Sequence, residues 1–111
     1  MTIDLDLVLS ACTLPTAEQP LRLAEFDRLF AYATAAVERR SPQMARISFP
    51  PQPEIAAQAA NLAVRETRCC SFFTFALTAT GGALHLDITV PQSQTSVLES
   101  VAGRVERARA A

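Results

Sequence analysis

The chain has 111 residues, a formal net charge of -1 and a composition that is half hydrophobic and about one-fifth charged. That describes one globular domain, long enough to bury a core without the help of a disulfide or a metal. It lacks the basic excess of a nucleic-acid binder, and no apolar run approaches the roughly 20 residues that cross a bilayer.

At the N-terminus Ile3, Leu5, Leu7 and Leu9 alternate with Asp4, Asp6 and Val8, a period of two that predicts a short strand. The same stretch is acidic and has no basic leader, which speaks against a secretory signal. Three cysteines make an odd set for a disulfide framework, so the expected setting is cytoplasmic with reduced thiols. Cys12 follows, then a connection marked by Pro15 and Pro20. From Leu21 to about Thr34 the apolar residues Leu23, Phe26, Leu29, Phe30 and Ala33 recur at three and four, one face of a helix.

Val37 to Arg40 and Met44 to Phe49 predict two short strands around Ser41-Pro42. Pro50, Pro51 and Pro53 end the pairing, since proline cannot donate to a ladder. Pro53-Glu54 opens a second helix on which Ile55, Ala59, Leu62 and Ala63 share a face, and Glu66 continues that face toward Cys69 and Cys70. Phe72 to Ala79 and Ala83 to Val90, separated by Thr80-Gly81-Gly82, predict a hairpin. Pro91 closes it, and Ser93 to about Arg109 forms a last helix carrying Val97, Leu98, Val101 and Val105. The pattern β-α-β-β-α-β-β-α predicts a single α+β domain over residues 1–111, an antiparallel sheet with helices packed on one face.

The chemistry concentrates at Cys12, Cys69, Cys70 and Glu66. Glu66 lies three residues before Cys69 and four before Cys70, spacings that stack side chains along one side of a helix. A carboxylate on an apolar helix face needs a partner or a cation, and Arg65 and Arg68 flank it as candidate partners. Adjacent helical residues point about 100° apart, so Cys69 and Cys70 serve one pocket only where the helix has broken. Thiolates suit Zn(II), Cu(I), Hg(II) and As(III). Three of them with Glu66 make a four-coordinate set, although vicinal cysteines do not match the Cys-x₂₋₄-Cys spacing of structural zinc. The alternative is that the cysteines are small buried hydrophobes of the core.

No other motif competes. His85, the single histidine, falls with Asp87 on the polar face of its strand, and Asp4 with Asp6 and Glu25 with Asp27 are carboxylate pairs without a catalytic partner set. There is no resolving Cys-x-x-Cys and no assignable base beside the thiols, which leans away from an enzyme.

The segments Ala11-Cys12-Thr13-Leu14 and Glu66-Thr67-Arg68-Cys69-Cys70-Ser71-Phe72-Phe73-Thr74-Phe75 resemble a family of small bacterial domains with A-C-T-L and E-x-x-C-C-x-F-F-x-F motifs. Such domains occur alone or behind MerR-like regulator domains. The resemblance covers about residues 10–100 and implies sensing or sequestration of a thiophilic metal, or binding of a small-molecule effector. With no helix-turn-helix, the chain is not expected to bind nucleic acid directly, and no membrane role is expected. The strand Ile3 to Leu9 is a candidate for pairing across a homodimer. The alternative expectation is a non-catalytic module that binds a small ligand or partner and uses its cysteines structurally.

Overall fold

A computed structural model of the chain describes residues 19–110. Their order is α1 (Gln19–Phe30), β1 (Glu38–Ser41), β2 (Met44–Phe49), α2 (Pro53–Cys69), β3 (Thr74–Thr80), β4 (Ala83–Thr89), a 3₁₀ turn (Gln92–Gln94) and α3 (Thr95–Ala110). The fold is α+β, as the hydrophobic periodicity predicts. The expected first strand, Ile3 to Leu9, and Cys12 lie outside the described residues.

All strand pairs are antiparallel, and the sheet order is β1-β2-β4-β3. The two hairpins therefore meet through β2 and β4. The second closes over Gly81 and Gly82, with φ of +56° and +77°. A two-residue turn with positive φ at both positions matches the twist of the strands it joins, and only glycine takes that conformation without strain.

Pairing fixes which residues share a face. Ala45, Ile47 and Phe49 of β2 lie opposite Ile88, Leu86 and Leu84 of β4, and all six are buried in a single core cluster with Leu29, Phe30, Ile55, Leu62, Val97, Leu98 and Val105 of the three helices. The helices thus cover one face of the sheet. The other face carries Ser48, His85 and Thr78 in one cross-strand row, and Arg46, Asp87 and Ala76 in the next.

Several boundaries shift by a few residues. The periodicity of α1 runs to Thr34, but the helix ends at Phe30, because Tyr32 and Ala33 donate to carbonyls three residues back (Leu29 and Phe30) and the Thr34 amide is captured by the Ser48 carbonyl at 2.9 Å. β3 starts at Thr74, two residues later than the aromatic run suggests. The Phe73 amide donates to the Cys70 carbonyl at 3.2 Å, so Phe72 and Phe73 belong to a turn. Among the described residues, no helix is long and apolar enough to cross a membrane.

Candidate thiol site

The site forms where α2 gives way to β3. Gln52 precedes α2 in extended conformation, Pro53 occupies its first turn, and Glu54 sits at the positive end of the helix dipole. These features set the phase of the helix, so Ile55, Ala59, Leu62 and Glu66 are its buried residues. At the far end the Cys70 amide makes a last bond to the Glu66 carbonyl at 2.7 Å, while Cys70 itself takes φ -125° and ψ 82°. The helical relation between the two cysteines is broken there. Cys70 is 3% exposed and belongs to the core cluster with Phe73, whereas Cys69 is half-buried and packs at the edge of that cluster. Both are thiols.

Glu66 is 6% exposed. Its partner is neither Arg65 nor Arg68 but Arg22, in the first turns of α1, which donates through Nη1 to Oε1 at 2.9 Å. The same Nη1 lies 3.9 Å from the Cys69 sulfur, so one guanidinium bridges the carboxylate and a thiol. Arg65 instead grips Glu25, with both amino groups on the two carboxylate oxygens at 3.1 and 2.7 Å. The hydrogen bond from Arg65, outweighing desolvation, holds the Glu25 carboxyl below the usual carboxylate range. Glu25 Oε1 is also 4.0 Å from Arg22 Nε. Glu25, Arg65, Arg22, Glu66 and Cys69 therefore form one chain of contacts between α1 and α2. Reading α1 by itself places Arg22 and Glu25 off its apolar face, and no local signal identifies their partners, which are some forty residues away.

Of the four expected site residues, the structure brings Glu66 and Cys69 together through Arg22, turns Cys70 into the core beside them, and leaves Cys12 outside the described residues. Among the described residues, no group of three or more histidine, cysteine, aspartate or glutamate side chains is arranged to hold a metal ion. His85 lies on the open face of the sheet, opposite Ser48 and Thr78. The thiols lie on the helix side.

Two further polar clusters were not expected. On the open face Arg46 donates Nε and Nη2 to the two oxygens of Asp87 at 2.7 and 3.0 Å, and Asp87 is 8% exposed. That fork, outweighing desolvation, holds the Asp87 carboxyl below its ordinary value. Between α1 and α3, Arg104 grips Asp27 in the same bidentate way at 3.2 and 2.6 Å. It lines a groove of about 420 Å³ with Arg28, Ala31, Arg107 and Ala108.

No protein-family model, curated protein or solved structure matches the chain.

Proposed function

We propose that this domain binds a soft metal or metalloid ion through thiolates, for sensing or sequestration, with Cys69, Cys70 and Cys12 as the ligand set. The observation that carries this reading is the Arg22 bridge. It fixes the start of α1 against Cys69 and Glu66, and Cys12 precedes Gln19 by only seven residues. In sequence, Cys12 thus lies a short way ahead of the helix start that carries Arg22.

The engagement of Glu66 by Arg22 refines the choice of ion. With Oε1 held by the Arg22 guanidinium, Glu66 would orient the site and offset charge while the three thiolates coordinate. Three sulfurs suit three-coordinate As(III) or Hg(II) better than four-coordinate Zn(II). A tris-thiolate complex of a divalent ion carries one negative charge, and Arg22 stands where that charge would fall.

The test is native mass spectrometry of the reduced protein offered Zn(II), Cu(I) or As(III) against excess glutathione. A one-to-one As(III) adduct is expected to survive competition and to disappear in Cys69→Ser and in Cys12→Ser. No adduct with any of the three ions, nor with Hg(II) offered in the same way, overturns the reading.

A second reading has its own support. Cys70 packs in the core as a small hydrophobe would, and the α1–α3 groove is of ligand size. On that reading the domain is a non-catalytic module for a small ligand or partner, and its thiols resist modification until the protein unfolds.

A further inference from the structure

The later turns of α1 and α3 are joined by the Arg104–Asp27 fork, and beside that fork the two helices form the groove of about 420 Å³. Its lining is Asp27, Arg28 and Ala31 at the end of α1 with Arg104, Arg107 and Ala108 of α3. These six residues carry three guanidinium groups and one carboxylate, an excess of two positive charges in a chain whose formal net charge is -1. Arg28 and Arg107 stand in the last turns of their helices, where a cation offsets the dipole. Dipole compensation accounts for one arginine on each helix. It does not require both to share a groove with Arg104.

The groove has a fixed polar element and an apolar wall. Asp27 holds Arg104 through Nε and Nη2, and the Arg104 side chain is 16% exposed, so this guanidinium is oriented within the fold itself. A planar fork held in place loses little freedom when it meets an anion. The rest of the lining surface is mostly apolar, supplied by the alanine methyls and by the stems of the arginines. Ala108 packs against the core and Ala31 is exposed. Alanine at both positions adds little bulk, and the groove keeps a volume typical of small-molecule sites.

We propose that the α1–α3 groove binds a phosphate monoester, with the phosphate among Arg28, Arg104 and Arg107 and the organic group along the wall of Ala31 and Ala108. A phosphate monoester carries close to two negative charges at neutral pH, which matches the excess of the lining; a carboxylate offsets half of it. Paired N–H donors of guanidinium also match the spacing of phosphate oxygens. The inference rests on the small-ligand reading and gives it a ligand class. It is independent of the soft-ion reading, because the thiols meet α1 near Arg22, toward the other end of the helix.

The test is a titration of the reduced full chain with phenyl phosphate, followed by amide chemical shifts, with inorganic phosphate and benzoate as comparison probes. Saturable one-to-one binding is expected, with the largest shifts around Ala31 and Ala108. Benzoate, with one charge, and inorganic phosphate, with no apolar group, should each bind roughly tenfold more weakly. The double variant Arg28→Gln/Arg107→Gln should weaken phenyl phosphate by at least about tenfold. Ala31→Leu fills the groove without changing its charge and should weaken binding to a similar degree. All three positions are exposed, so the urea midpoints of the variants should stay near that of the parent. Absence of saturable shifts at the groove with any of the three probes overturns both the proposal and the small-ligand reading of this groove. Benzoate binding there as tightly as phenyl phosphate keeps that reading and overturns the phosphate assignment. Unchanged affinity in the double variant, or in Ala31→Leu, also overturns the proposal.

Discussion

Replacing Glu66 with alanine removes the carboxylate but leaves Arg22 where it is, 12% exposed at its side chain and committed to the interface between α1 and α2. A charge-assisted hydrogen bond contributes about 1.5–3 kcal/mol, and breaking a fully buried pair from one side costs about 3–5 kcal/mol. Here there is one hydrogen bond at 2.9 Å, and Arg22 keeps Glu25 as a more distant ion-pair partner at 4.0 Å. The loss should therefore fall near the lower values, about 2 kcal/mol. For a domain of this size that lowers Tm by about 8 °C. Replacing both partners, Arg22→Met with Glu66→Leu, removes the stranded charge as well, and stability should return to within about 1 kcal/mol of the parent. Urea and thermal unfolding of the parent, Arg22→Met, Glu66→Leu and the double variant, followed by circular dichroism, give the complete cycle, with Glu66→Ala measured beside them. A Glu66→Ala protein as stable as the parent would falsify the buried-pair argument. So would a double variant that loses the full sum of the two single changes, because the pair would then be two independent packing contacts.

Asp87 carries a pH signature. Its folded-state carboxyl titrates below its unfolded value because Arg46 donates to it, so its contribution is complete above about pH 3.9 and drains away as pH falls through the lower folded value. Asp87→Asn should be less stable than the parent at neutral pH, and the gap should narrow on acidification; urea midpoints from pH 7 to pH 2 that stay parallel would refute this. The two adjacent cysteines should also behave differently. Cys70→Ser places a hydroxyl in the core and should cost about 1–3 kcal/mol, whereas Cys69→Ser, at the half-buried neighbour, should stay within about 0.5 kcal/mol. Equal urea midpoints for the two variants would show that the junction does not separate them.

Most of the fold is legible locally. Gly81-Gly82 between alternating runs, Pro53-Glu54 ahead of an apolar helical face, and the proline cluster after Phe49 each act within a few residues, and each marks a boundary that the structure keeps. What pattern reading misses is pairwise and distant. Arg46 and Asp87 each look like a polar residue on the wet side of its own strand, and only the β2–β4 register turns them into a pair that shields Asp87 from water. Glu66 is an intermediate case. Its place on an apolar face announces a partner, but the nearest arginines in sequence, Arg65 and Arg68, are not the ones used. Arg22 fills the role because α1 crosses α2 there, and no helical periodicity encodes a crossing.

The meeting of β2 with β4 also has a kinetic meaning. Each hairpin closes a short loop, but their union encloses all of α2 and β3 before it gains a single hydrogen bond. Chain-closure entropy of that kind is paid ahead of the contacts that offset it, which predicts that the union comes late and limits the rate of folding. The Cys69–Cys70 junction lies inside the enclosed segment. A nascent or partly folded chain would therefore display both thiols before the core accepts Cys70, and the interval before the hairpins join is when the pair is most open to oxidation or to capture by a stray metal.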